Sequence, residues 1–463
     1  MTQIAKFGGS SLSTSEYFIR VTNIIKEFYN PGDIIIVSAV GVEPGDDGDK
    51  TTDELITLSE YYSNENYDKE KEMWNYIKRK HLALAKKLSL KKTIFNKTFK
   101  LAEQMLNKKN RNRSADYYHD RFAPIGECLS AEILVAILNN EENTKAEVIY
   151  PHKIGFLLEG KFKDGRFTQE GLDSLDGATQ DEVIYVMPGY YGVNDEGDWL
   201  TIGRGGSDAS AAAAGIAKKA KRIDIWTDVD GVYRANPKYF NDEYVKSQLR
   251  LDRLAYDEAL QIAEFGATVI HPKAISTIIG SEYKPPVYIR KTNEPHGKYT
   301  IISDTTILTP NGYKGIVDCR LTRIILENPL MVGQYGFAAD FFSLFKKHKI
   351  PIKYMSDSEI GITVAFDSEH NIERLLRDLD SSNLGSVEVS TIGLLGIYGR
   401  ELRGQVGIAA ACEYALANSH INIEDKTQSK ERSMRFLIES DKRPEAVKAV
   451  YKVLEERAKL VKC

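Results

Sequence analysis

The pattern that most limits how this chain can fold runs through residues 1–300. Short β-branched runs end in glycine, and each is followed by a stretch with helical spacing. QIAKF (3–7) and DIIIVSAV (33–40) are short, apolar and closed by glycines, as strands buried on both faces of a parallel sheet are. SEYFIRVTNIIKEF (15–28) carries apolar residues at helical intervals, with Ser13 or Ser15 as its N-cap. Residues 51–107 read as helical, highly charged and on the surface, whereas IGECLSAEILVAILNN (125–140) reads as a buried helix. AEVIY (146–150), VIYVMPGYYG (183–192) and IDIWTDVDG (223–231) read as further strands. TIGRGGSDASAAAAGIAKKA (201–220) reads as a glycine-rich turn entering an alanine-rich helix. This order predicts an α/β fold with a mostly parallel central sheet flanked by helices.

The texture changes near residue 300. From Lys314 the order is strand, helix, strand, then a helix over NIERLLRDLDS, and a second round follows through RPEAVKAVYKVLEERAKL. Both rounds place glycine just before their first helix, at Gly336 and at Gly404 and Gly407. Two βαββαβ ferredoxin-like units are predicted, at 313–389 and 390–463. They follow a first domain at 1–297 and a linker at 298–312, and the second unit has the option of borrowing a strand from about 298–308.

Composition removes several function classes. Acids outnumber bases 66 to 62, which argues against a polyanion-binding protein and predicts no nucleic-acid partner. KKNRNR (108–113) reads as a solvated helix end or loop. Cys128, Cys319, Cys412 and Cys463 are far apart with no C-x-x-C pair, so neither a disulfide framework nor a zinc site is expected. Cys128 reads as a small buried residue. MTQIAKFGG lacks the apolar core of a signal peptide, and no stretch is expected to supply the roughly 18 apolar residues of a spanning helix. A cytoplasmic protein with no membrane partner is the expectation.

The chemistry concentrates in two glycine-rich strand-to-helix turns, KFGGSS (6–11) and GRGGSD (203–208). Such turns offer backbone N–H groups and the positive end of a helix dipole, which suits phosphate. The first is not a P-loop, because its lysine precedes the glycines. Lys6, at a strand end, is costly to bury unless it is paired or faces an anion, and Asp208 at the start of a helix is its candidate partner. A third element, TDVDG (227–231), reads either as a polar turn or as an acidic strand end meeting nucleotide or magnesium.

Together, KFGGSS, SAVG (38–41), GECLSA (126–131), GRGGSD and TDVDGVYRANP closely resemble the aspartate kinase family of the amino acid kinase superfamily. Their order and spacing agree from end to end, and the tail resembles that family's paired ACT domains. The resemblance implies ATP-dependent phosphorylation of the β-carboxylate of L-aspartate, giving 4-phospho-L-aspartate. This is the first step towards lysine, threonine and methionine. It implies a catalytic set of Lys6, Gly8, Gly9 and Asp208, in which Asp208 organises the lysine. Glu127 is implied to take the substrate ammonium and Arg204 its α-carboxylate, with Ser38, Thr52, Gly205 and Ser207 lining the same pocket. Lys6, Gly9, Ser10, Thr227, Asp228, Tyr233, Asn236, Pro237 and Lys238 fall where the family holds ATP, and Mg²⁺ would be carried mainly by the phosphates rather than by protein ligands. The nucleophile is already ionised at neutral pH, so no histidine base is needed. An end-product amino acid is implied to inhibit at the ACT domains, and a homodimer or tetramer is implied to form through them. Met331, Gln334, Gly336, Phe337, Asp357, Ser358 and Glu359 match the effector loops, and lysine is favoured over threonine. The chain length leaves no room for a fused homoserine dehydrogenase, which implies the monofunctional form.

The chain departs from that family at several points. In FGATVIHPKA (265–274), Thr268 stands where the family has a nucleotide-binding lysine, and Lys273 or Lys238 is a candidate substitute. Asn236 replaces a common aspartate, and residues 42–49 form a longer loop beside the pocket. Lys353 stands where lysine-inhibited relatives carry an acid, a role open to Asp357. Two rival functions remain: a kinase of another small acid such as glutamate or acetylglutamate, and a catalytically weak ACT-domain amino-acid sensor.

Overall fold

The computed structural model describes residues 2–42, 48–107, 112–141, 144–180, 182–264, 269–305, 312–331, 336–400, 402–428 and 433–461. The chain forms two compact units. One comprises Met1–Val232, Asp252–Leu260 and Thr268–Thr306; the other comprises Tyr233–Leu251, Gln261–Ala267 and Ile307–Cys463. The first domain expected at 1–297 is therefore not continuous in space. Residues 233–251 and 261–267 group with the C-terminal part of the chain.

The chain opens with β1 (Ile4–Phe7), α1 (Ser15–Phe28), β2 (Ile34–Val37), α2 (Thr51–Ser63), α3 (Tyr67–Lys87), α4 (Asn96–Leu106), α5 (Ala115–Phe122) and α6 (Ile125–Asn140). Next come β3 (Ala146–Val148), α7 (Pro151–Ile154), the hairpin of β4 (Leu158–Lys161) and β5 (Asp164–Phe167), and α8 (Gln169–Gly177). Then follow β6 (Ile184–Pro188), the hairpin of β7 (Tyr191–Val193) and β8 (Trp199–Thr201), α9 (Gly206–Ala217) and β9 (Ile223–Thr227). After β10 (Val232–Tyr233), α10 (Glu243–Leu249) and β11 (Arg250–Leu251) come β12 (Arg253–Ala255), α11 (Tyr256–Glu264), α12 (Pro272–Ile279), β13 (Val287–Lys291) and β14 (Thr300–Ser303).

Among the described residues, the first unit is centred on an eight-stranded sheet in the order β12-β14-β13-β9-β1-β2-β6-β3. Its run from β13 to β3 is parallel, and β14 pairs antiparallel with β13. All four residues of β2 are buried, as expected for a strand covered on both faces. Helix α1 buries Phe18, Val21, Ile24 and Ile25, and its cap is Thr14, whose Oγ1 accepts the N–H of Tyr17, rather than Ser13 or Ser15. In α9, Ala209 and Ala211 to Ala214 are buried, and their small side chains suit close packing on the sheet. The charged stretch 51–107 is not only surface: Leu55, Leu58, Tyr62, Trp74, Ile77 and Phe95 are buried in the main core.

A buried charge cluster ties the middle of the sheet together. Asp224 on β9 accepts from Tyr29 Oη (2.7 Å) and Arg222 Nε (2.9 Å), and Trp226 Nε1 donates to Tyr29 Oη (2.8 Å). The Arg290 guanidinium lies 4.6 Å from the Trp226 ring and 4.7 Å from that of Phe28. Helices α5 and α6 follow one another over Ala115–Asn140, a stretch long and apolar enough by length and composition to cross a membrane. This corrects the expectation that no such stretch exists. Its most apolar window is 78% buried, so a core helix accounts for the composition.

The second unit contains β15 (Gly315–Glu327), α13 (Phe337–Lys347), β16 (Tyr354–Asp357), β17 (Gly361–Asp367), α14 (Glu373–Ser381), β18 (Ser386–Tyr398), α15 (Ile408–Asn418), β19 (Asp425–Gln428), β20 (Ser433–Ile438) and α16 (Arg443–Val461). Among the described residues these strands make one antiparallel sheet, β16-β17-β15-β18-β20-β19. Each half supplies three strands and two helices, βαββα, rather than the expected βαββαβ. The edge strands β16 and β19 are linked, because the Ser356 hydroxyl donates to the Asp425 carboxylate; Arg435 Nη1 on β20 also donates to the Lys353 carbonyl, just before β16, at 3.2 Å. The expected boundary at 389/390 falls inside β18, and the strand available for borrowing is β14, which belongs to the large sheet of the first unit.

Candidate active site

The parallel registers bring several carboxyl strand ends to one edge of the sheet. Phe7 pairs with Val37 and with Trp226, and Val37 pairs with Pro188. Loops leaving this edge of an open α/β sheet are where ligands bind. The KFGGSS loop leaves β1 here and forms a 3₁₀ turn over Gly9–Leu12. Gly9 and Gly41 touch through their backbones: a Cβ on Gly41 would lie 2.3 Å from the carbonyl oxygen of Gly9. Ser11 is buried and shares a 2.7 Å hydrogen bond with the Thr292 hydroxyl at the end of β13. The Ser38 N–H donates to Phe7 O (3.1 Å), and that of Thr51 donates to Val40 O (3.3 Å), which starts α2 beside this turn.

Lys6 Nζ lies 2.7 Å from Asp208 Oδ1, with both side chains mostly buried. A Cβ on Gly8 would stand 3.1 Å from Lys6 Nζ, so the ammonium sits directly beside the glycine loop. Asp208 occupies the first turn of α9, where a negative charge is favoured by the helix dipole. Its second oxygen, Oδ2, accepts the backbone N–H of His271 at 3.2 Å. Gly205 caps α9 with φ 75°, a left-handed conformation natural to glycine. Ser207 is buried, while Arg204 is exposed on the turn. Gly206 packs against the ring of Tyr190, which itself holds φ 80° and donates its N–H to Ser210 Oγ at 3.1 Å.

Glu127, in the first turn of α6, is 3% exposed. Burial raises its pKa to about 8, against the opposing effect of hydrogen bonds with the backbone of Ala39 and its own backbone. Among the described residues its Oε2 has no hydrogen-bond partner, nor has the Oγ1 of Thr51 or the Oγ of Ser130. Thr51 packs beside Gly126, the residue before Glu127, its Cγ2 lying 3.2 Å from where a Cβ on Gly126 would stand. Burial, and next the Glu127 charge, push the Tyr190 phenol well up. A buried acid with an unused oxygen is a ready acceptor for a cation.

The predicted residues therefore fall into groups. Lys6, Gly8, Gly9 and Asp208 come together, Ser38 follows β2 beside them, and Ser10 lies within the 3₁₀ turn. Thr52 is half-buried on α2, one residue beyond the fully buried Thr51. Thr227 ends β9, hydrogen-bonding to Asp228 through its hydroxyl (3.0 Å) and accepting the Thr292 N–H (2.8 Å). Tyr233, Asn236, Pro237 and Lys238 belong to the second unit, where the Asn236 side chain accepts the Lys238 N–H at 3.1 Å. Lys273, a candidate substitute for the missing lysine, is engaged by Ile202 O (2.6 Å) and Asp164 Oδ1 (2.9 Å).

Thr268, Gln334 and most of the 42–49 loop lie outside the described residues. In the second unit, the Asn328 N–H donates to Ile360 O (2.8 Å), linking the chain just before the Pro329–Met331 turn to the turn that follows Asp357, Ser358 and Glu359. Gly336 caps α13 with φ 81°, and Phe337 is buried. Lys353 pairs with Asp367 at 2.7 Å. Sequence reasoning missed Thr51, Tyr190 and His271. Their available signals were a threonine beside Thr52, a tyrosine after the glycine of MPGYYG, and the histidine of VIHPKA.

The site combines a cation, two glycine turns rich in N–H donors, and a buried acid. Among the described residues no group of three or more His, Cys, Asp or Glu side chains gathers to hold a metal. The chain is 27% identical to Aspartokinase 1, chloroplastic, of Arabidopsis thaliana, over 99% of this chain and 81% of that one. It is 25% identical to Lysine-sensitive aspartokinase 3 of Escherichia coli (strain K12), over 88% of each. The crystal structure of E. coli aspartokinase III in complex with aspartate and ADP covers 98% of this chain and 100% of its own, with TM-score 0.74 and 22% identity. An ACT domain model matches residues 395–454 of the second unit. The amino acid kinase family model matches residues 1–291, which carry both glycine turns and their ion pair, and the chain belongs to the amino acid kinase family.

Proposed function

We propose that the chain transfers the γ-phosphoryl group of MgATP to the β-carboxylate of L-aspartate, giving 4-phospho-L-aspartate and ADP. The observation that carries this reading is the Lys6–Asp208 ion pair, 2.7 Å long, set between two glycine turns at the carboxyl edge of the sheet. Lys6 would neutralise charge developing on the transferring group while Asp208 holds its ammonium in place. Mg²⁺ carried on the nucleotide would lower the charge on its phosphates. The β-carboxylate is already a nucleophile at neutral pH, so catalysis reduces to positioning and charge neutralisation.

Glu127 fits the substrate ammonium, and Arg204 offers a planar fork for the α-carboxylate. The relatives, both aspartokinases by name, support the same substrate. Lys6, Gly9, Ser10, Thr227 and Asp228 are the residues of the first unit assigned to the nucleotide. Lysine as inhibitor of the second unit is supported by the name of the E. coli relative. Exposed Leu330, Ile360 and Val389 in that unit fit assembly of copies through it.

The test is to incubate the chain with ATP, Mg²⁺ and either aspartate or glutamate, then trap acyl phosphate with hydroxylamine. Hydroxamate is expected with aspartate and not with glutamate. The reverse result would replace the substrate, and no product with either would favour an amino-acid sensor.

A further inference from the structure

The segment His271–Lys273, at the start of α12, holds the GRGGSD turn at Asp208 and Gly205 and the strand-side residue before it, Ile202. The His271 N–H donates to Asp208 Oδ2 (3.2 Å), leaving Oδ1 for Lys6 at 2.7 Å. The imidazole lies against Gly205, so closely that a Cβ there would fall 2.0 Å from His271 Cγ. Lys273 Nζ donates to the Ile202 carbonyl (2.6 Å) and to Asp164 (2.9 Å). The segment is itself anchored, because His271 Nδ1 accepts the Lys273 N–H (3.2 Å) and so caps α12. A carboxylate with one oxygen on a fixed backbone amide has little freedom to rotate. The direction of its other oxygen, and so the place of the lysine ammonium, follows from that amide.

We propose that His271 is a positioning residue for phosphoryl transfer, which fixes the rotamer of Asp208 and thereby the Lys6 ammonium without touching either substrate. Lys273 serves the same turn. This inference rests on the phosphoryl-transfer reading above.

The experiment measures kcat, KM for aspartate, KM for ATP and melting temperature in the unmodified chain and in His271→Ala, His271→Asn and Lys273→Met. Displacing a catalytic group costs on the order of 10² in rate, so kcat should fall by about that factor in His271→Ala, with both KM values nearly unchanged. His271→Asn should recover most of the loss, because its side-chain oxygen can take over the cap. Lys273→Met should lower kcat and leave KM for ATP alone.

An unchanged kcat in His271→Ala overturns the proposal, as does an Asn variant no better than Ala with a matching loss of melting temperature. A rise in KM for ATP as the main effect of Lys273→Met also overturns it, by making that lysine a nucleotide contact. If the Ala variant does not fold, Lys273→Met decides alone, and an unchanged kcat there overturns the proposal. An unmodified chain without acyl-phosphate activity is a different result: it removes the phosphoryl-transfer reading itself.

Discussion

At the residue scale, Glu127 makes a prediction whose sign follows from burial. Its carboxyl is raised from 4.5 to about 8, so the folded ligand-free state favours the protonated form. The associated stability is fully present below the unfolded value and is lost as pH rises through the folded one. Melting temperature without ligand should therefore decline from about pH 5 to about pH 9, and Glu127→Gln should flatten that decline. Equal slopes in the two proteins would show that Glu127 is not the titrating group. The Lys6–Asp208 pair was legible in the sequence, because a strand-end lysine and a helix-start acid each need a partner. Tyr190 and His271 were not. Their roles depend on a φ of 80° and on a backbone N–H, and neither is a property of the residue type.

At the scale of elements, the contact between the KFGGSS loop and the SAVG turn joins two strand ends, backbone to backbone. Gly41→Ala would drive a methyl group to within 2.3 Å of the Gly9 carbonyl oxygen, and the loop would have to move. A shift of about 1 Å beside the reacting group costs on the order of 10² in rate, so kcat should fall by about that much while far-UV circular dichroism stays native-like. A fully active Gly41→Ala chain would show that the contact is dispensable. Helices α1 and α6 have the bounds expected from sequence, because periodicity is a local signal. β14 was read as part of a linker because the strand is only four residues long and its parallel pairing with β12 leaves no local mark. The paired repeats were legible as repeats, but not their strand count. β15 and β18 pair along 13 residues each, and that ladder takes the place of a boundary between two separate sheets.

At the scale of the whole molecule, the alternating pattern was enough to predict a parallel α/β unit followed by a tail of different texture. What it did not reveal is that residues 233–251 and 261–267 group with that tail, since long-range contacts decide membership and leave no local mark. The same grouping puts Tyr233, Asn236, Pro237 and Lys238 in the second unit, apart from the first unit's Thr227 and Asp228. The central claim concerns the first unit alone: one ion pair, Lys6 with Asp208, drives phosphoryl transfer to aspartate. The most direct measurement is kcat for aspartyl hydroxamate formation in Lys6→Met, Asp208→Ala and the double variant. Each single change should cost on the order of 10²–10³, and the double variant should be no slower than the worse single, because the two side chains act as one unit. Near-normal rates in the single variants, or losses that simply multiply in the double, would contradict the claim.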